Sequence, residues 1–94
     1  MNRKAKGTRR EYQTMRLLEQ AGYRCTRAAA SLGCWDVIAI GATDVVLCQV
    51  KANYPPGKQE LARMSHFPTP ATHVRKAIYV WHNHDPDPEV TYIS

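Results

Sequence analysis

Ninety-four residues with 44% apolar content fit one small globular domain and exclude a disordered chain. No apolar run approaches the roughly 20 residues of a membrane span, and the basic start Met1-Asn2-Arg3-Lys4 has no apolar stretch behind it, which argues against a secretory signal. The net charge of +5 is concentrated at one end, where Arg3, Lys4, Lys6, Arg9 and Arg10 supply five of the thirteen basic side chains, a clustering that suits a polyanion and equally a solvated arm.

Residues 1–7 read as that basic arm, ahead of a domain over 8–94. Thr8 begins a helix over 9–20: Thr8-Arg9-Arg10-Glu11 has the form of a capping box, in which Glu11 reaches back to the cap. Ala21-Gly22 ends it, and Glu11, Met15 and Leu18 form its inward stripe. Tyr23 to Arg27 is a short strand, followed by the small-residue stretch Ala28 to Gly33. Two apolar runs, 34–40 and 45–51, flank Gly41-Ala42-Thr43-Asp44 and read as a hairpin. Asn53-Tyr54-Pro55-Pro56-Gly57 is a break, after which 58–66 suits a short helix with Leu61 and Met64 inward. A strand over 76–82 sets Ile78 and Val80 on one face and Tyr79 and Trp81 on the other, where the two aromatics pack on a helix, line a dimer contact or stack on bases. Residues 90–93 close the chain as an edge strand. The order α-β-β-β-α-β-β predicts an α/β fold with a mixed central sheet flanked by helices, in which the strands at 45–51 and 76–82 are parallel partners joined by a helical crossover.

Cys25, Cys34 and Cys48 are odd in number and lack C-x-x-C spacing. They read as small buried hydrophobes in a reducing cytoplasm rather than as a disulfide framework or zinc ribbon. His82-Asn83-His84-Asp85, with His66 and His73, has no zinc-ligand spacing and reads as a polar turn.

The chemistry concentrates in the hairpin. Asp36 lies in one apolar run, and Gln49 and Lys51 lie in the other. A charge inside such a run is costly to bury and is usually paired, metal-bound or functional. Strand alternation and a hairpin register in which 40 opposes 45, 38 opposes 47 and 36 opposes 49 put Asp36, Gln49 and Lys51 on one face. Asp36, the Gln49 side-chain carbonyl and the Val50 backbone carbonyl then offer oxygen ligands to a hard divalent cation, with Lys51 placed to orient water or stabilise developing charge. Singly, each residue has an ordinary structural explanation: a capping glutamate, a strand-end aspartate, a loop serine, a solvated lysine. Their joint order points to a phosphodiester-cleaving site.

That order resembles the PD-(D/E)XK nucleases, and within them the archaeal-type Holliday junction resolvases. The matching pieces are Lys6-Gly7 with Glu11, Leu17-Leu18-Glu19, Gly22-Tyr23, Arg27-Ala28-Ala29-Ala30-Ser31, Trp35-Asp36-Val37-Ile38-Ala39 and Gln49-Val50-Lys51. The resemblance implies a restriction-endonuclease-like fold, Mg²⁺ as cofactor with Mn²⁺ able to substitute, and a homodimer whose two sites nick opposed strands of a four-way junction. It makes Asp36 the main metal ligand, Lys51 the catalytic lysine, Glu11 a support acting through water, and Ser31 a DNA contact near the scissile phosphate. Arg3, Lys4, Lys6, Arg9, Arg10 and Arg27 join Ser31 as DNA-contacting residues. Gln49 stands where a glutamate is usual. That substitution removes a unit of negative charge and predicts weaker metal affinity. Alternative readings are another nuclease of the superfamily acting on other DNA, a non-catalytic DNA-binding relic, or a small basic module that binds RNA or protein.

Overall fold

Alternating apolar residues in the central runs build a five-stranded sheet in a computed structural model that describes residues 3–28, 33–70 and 72–93. In chain order the elements are α1 (Arg3–Gln20), β1 (Arg24–Arg27), β2 (Val37–Ile40), β3 (Val45–Ala52), α2 (Lys58–His66), β4 (Val74–Trp81) and β5 (Glu89–Ile93). The strands lie side by side in sequence order. β1–β2, β2–β3 and β4–β5 are antiparallel, and β3–β4 is parallel. The chain therefore has the α/β mixed-sheet architecture expected from its pattern, with α2 as the crossover that a parallel pair requires.

Each face of the sheet carries its own core. Val37, Ala39, Val46, Cys48, Ala77, Tyr79 and Trp81 cluster with Leu18 of α1. Leu47, Ile78 and Val80 cluster on the other face with Met64 of α2 and with Trp35, whose ring meets Phe67 edge-on at 5.6 Å. Strands β3 and β4 thus alternate between the two clusters, the signature of strands buried on both sides. Tyr79 and Trp81 take the helix-packing role.

α1 starts well ahead of the expected Thr8 cap. Residues 3–7 of the expected arm continue the helix, Thr8 lies inside it, and the Thr8–Glu11 capping box is not made. Only Gly7 in the run Arg3–Arg10 opposes helix, at about 1 kcal/mol relative to alanine, too little to end the ladder. The inward stripe is also rotated: Arg10, Thr14 and Leu18 are buried, and Met15 only partly. Trp81 sets this rotation. Its indole N–H donates to Thr14 Oγ1 at 2.9 Å, the Thr14 hydroxyl donates to the Arg10 carbonyl at 2.9 Å, and the Arg10 guanidinium lies 5.6 Å from the Trp81 ring centre. A buried indole N–H needs an acceptor, and Thr14 is the residue that supplies one.

Two further polar devices fix α2 and the hairpin turn. Buried Lys76 donates to the carbonyls of Ser65 and Phe67 at 3.0 and 2.8 Å, closing the C-terminal end of α2 where a cation is favoured. At the turn, Asp44 accepts from Tyr23 Oη at 2.8 Å and from Arg75 Nε at 3.0 Å. Gly41 suits that turn, because a Cβ at this position would lie 2.7 Å from the Tyr23 ring and force it to shift.

Candidate active site

The β2–β3 register pairs Ile40 with Val45 and Ile38 with Leu47, as strand alternation predicts. The regular ladder stops one residue short of Asp36. β2 begins at Val37, and Asp36 occupies a bend. Trp35 packs into the α2-side cluster and Val37 into the α1-side cluster. Trp35 and Ile38, of opposite parity, therefore pack on the same side, so alternation is broken between them. The expectation that Asp36 directly opposes Gln49 on one pleated face is corrected accordingly. The Asp36 N–H donates to the Cys48 carbonyl at 2.8 Å, and its carboxylate Oδ2 accepts the Val50 N–H at 2.8 Å. Val50 meets Asp36 through its amide nitrogen, on the peptide that joins it to Gln49.

Burial raises the Asp36 carboxyl above the usual carboxylate range. The Val50 N–H and the charge of Lys51 work the other way, and the charges of Glu11 and Glu60 add to the rise. Three side chains, from α1, β3 and α2, are therefore close enough to act on the Asp36 carboxylate. A perturbed carboxyl among converging charges is a pattern typical of a reaction centre.

Gln49 is 5% exposed and points to the α2 side. Its Nε2 donates to the Glu60 carboxylate at 3.0 Å and to the Cys34 carbonyl at 3.3 Å. Its Oε1 is buried without a hydrogen-bond partner. A buried amide oxygen left unpartnered costs free energy, and a bound cation would relieve that cost. Lys51 Nζ lies 3.2 Å from Glu60 Oε1. Glu60 sits in the first turn of α2, where an acid is favoured by the helix dipole. Its carboxyl is held below the usual range although burial pushes it up, because the hydrogen bond and charge of Lys51, the Gly57 backbone amide and the Gln49 amide outweigh that burial.

Glu11 is held by Arg27, whose Nε donates to Oε1 at 2.9 Å and whose guanidinium stacks 5.1 Å from the Tyr12 ring centre. Glu11 and Arg27 thus lie together beside the site. Arg9 is exposed, whereas Arg10 is buried against Trp81 with its Nη1 on Gln13, turned away from solvent. Arg3, Lys4 and Lys6 fall on the first turns of α1. Ser31 lies outside the described residues. Glu60 was not among the candidates from sequence. The signal that marks it is an acid in the first turn of the helix that directly follows the strand bearing Gln49 and Lys51.

The donor set fits a hard cation through oxygen: Asp36, the free Gln49 Oε1, and carboxylates of Glu11 and Glu60 within electrostatic reach. Among the described residues no three His, Cys, Asp or Glu side chains converge into a ready metal cluster.

No protein-family model matches the chain. No curated protein matches it either. Among solved structures, the chain superposes on the Holliday junction resolvase Hjc of Archaeoglobus fulgidus with a TM-score of 0.71, at 20% identity, over 94% of this chain and 71% of that one. The fold is that of an archaeal Holliday junction resolvase. The resemblance carried by Glu11, Asp36, Gln49 and Lys51 and the superposition of nearly the whole chain therefore agree on architecture. No helix among the described residues is long and apolar enough to cross a membrane.

Proposed function

We propose that this chain is a Mg²⁺-dependent, structure-selective DNA endonuclease that resolves four-way junctions by paired symmetric nicks, working as a homodimer. The observation that carries this reading is the convergence of Asp36, Lys51, Glu11 and Glu60 beside the unpartnered Oε1 of Gln49, at the open end of the hairpin, in a resolvase fold.

Asp36 and Gln49 Oε1 would hold the cation, with the Val50 backbone carbonyl as a third oxygen and Glu11 acting through water; Mn²⁺ would substitute for Mg²⁺. When bound, the cation supplies Lewis-acid polarisation of the scissile phosphate and acidifies a coordinated water. The Val50 N–H bond at 2.8 Å fixes the Asp36 carboxylate before metal arrives, which lowers the cost of organising the site. Lys51, released from Glu60, donates to the charge that develops on the phosphoryl oxygens. Arg27, anchored by Glu11, and the basic positions Arg3, Lys4, Lys6 and Arg9 on α1 supply phosphate contacts that position DNA without reading its sequence. Ser31 would add a contact at the scissile phosphate. Symmetric cutting needs two sites, and the described residues form one, so the homodimer is part of the proposal. A cytoplasmic enzyme fits the free Cys25, Cys34 and Cys48.

The test uses a labelled four-way junction, the matched duplex and a single strand, each with Mg²⁺ or EDTA. Paired nicks in the junction alone, lost in EDTA, are expected. Equal cutting of plain duplex would instead indicate a nuclease with another DNA substrate. Tight junction binding without cutting in Mg²⁺ or Mn²⁺ would indicate a non-catalytic relic.

A further inference from the structure

We propose that Glu60 is a positioning residue for Gln49, orienting and polarising its amide so that glutamine serves as a metal ligand where a carboxylate is otherwise expected. This rests on the reading of Asp36 and Gln49 as ligands of a divalent cation.

The two hydrogens of Gln49 Nε2 have two acceptors, the Glu60 carboxylate at 3.0 Å and the Cys34 carbonyl at 3.3 Å. Turning the amide over would set its oxygen against both of those oxygens, so the orientation is fixed by its surroundings. The fixed orientation leaves Oε1, the end that ligates a hard cation, buried and unpartnered. Donation to a carboxylate moves electron density toward Oε1, as a carboxylate behind a metal-bound imidazole raises its basicity. The negative charge missing at position 49 is thereby restored one hydrogen bond away. The same carboxylate holds Lys51 Nζ at 3.2 Å, so one side chain on α2 sets both residues of the β3 motif. Glu60 is itself fixed by its place in the first turn of α2, at the N-terminal end of the helix.

The experiment measures Mn²⁺ affinity of the intact, DNA-free protein by calorimetry, in four backgrounds: wild type, Glu60→Gln, Gln49→Glu and the double variant. Thermal melts accompany each, and Asp36→Asn serves as a reference. In the wild-type background Glu60→Gln is expected to weaken Mn²⁺ binding by about 10–100-fold, the usual cost of losing a partner behind a ligand. In the Gln49→Glu background the ligand carries its own charge and has no amide to orient or polarise, so Glu60→Gln is expected to change Mn²⁺ affinity much less than it does in wild type. Loss of fold would weaken binding in both backgrounds alike and cannot produce this difference. Unchanged Mn²⁺ affinity in Glu60→Gln, or an equal loss in both backgrounds, would overturn the role of Glu60. If Asp36→Asn also leaves Mn²⁺ affinity unchanged, the site reading itself fails; if Asp36→Asn abolishes binding, only the claim for Glu60 fails.

Discussion

The two ends of the β2–β3 hairpin both gather charged and polar side chains, and they differ in how those groups are satisfied. At the turn end, Tyr23, Asp44 and Arg75 form a closed set: Asp44 accepts from both partners, Arg75 Nη2 donates to Tyr23 Oη at 3.3 Å, and the guanidinium stacks 4.6 Å from the Tyr92 ring centre. At the open end, Asp36 is buried with its carboxyl pushed up, Gln49 keeps a bare acceptor, and Lys51 leans on a single helix-borne acid. Closed networks rigidify a fold, whereas perturbed and incompletely satisfied ones are where chemistry is placed. The same hairpin thus spends one end on structure and the other on function.

Substitutions at the two ends should separate these roles. The largest effect is expected from Asp36→Asn, which removes the main ligand: junction cleavage falls by on the order of 10³-fold or more, in line with the several kcal/mol a cation contributes to the transition state, while junction binding in EDTA is unchanged. Asp44→Ala should do the opposite. It leaves Tyr23 Oη and Arg75 without their shared acceptor and lowers stability by about 1–2 kcal/mol in denaturant unfolding, with Mn²⁺ affinity intact. A loss of metal affinity in Asp44→Ala would mean that the ends are not independent. Gly41→Ala pushes a Cβ against the Tyr23 ring and should cost about 1 kcal/mol, again without touching the site; relaxation of the ring by rotation would shrink that cost.

The smallest effect concerns pH. Because the folded-state carboxyl of Asp36 is raised, the native chain binds its proton more tightly than the unfolded chain does. Ionised Asp36 therefore costs stability at neutral pH, and this cost fades as pH falls through its raised folded value. Asp36→Asn should be more stable than wild type at pH 7, with the difference shrinking on acidification toward the ordinary carboxylate range. A variant less stable than wild type at pH 7 would mean that the Val50 N–H bond outweighs burial.

Much of this was legible in the sequence because period-2 alternation over 45–51 and 76–82 admits one register and one pair of faces. Gln49 and Lys51 fell on the α2 side as alternation requires. Asp36 did not follow simple alternation, because the burial of Trp35 beside Phe67 is favoured over a straight strand start and turns the chain at Asp36. The start of α1 was missed because Thr8 and Glu11 have the form of a cap, while nothing before them except Gly7 resists helix. The inward turn of Arg10 was hidden for a related reason: its partner Trp81 is far along the chain. Glu60 escaped because its meeting with Gln49 and Lys51 depends on the path through Pro55 and Pro56 that brings α2 back over β3, which pattern alone does not encode.

The central claim is that the open end of the hairpin cuts DNA through Asp36. Its most direct test is nick mapping on a labelled four-way junction in Mg²⁺, with wild type and Asp36→Asn compared at equal junction occupancy. The account predicts symmetric paired nicks from wild type and bound but uncut junction from the variant. Cleavage by Asp36→Asn at the wild-type rate would contradict it.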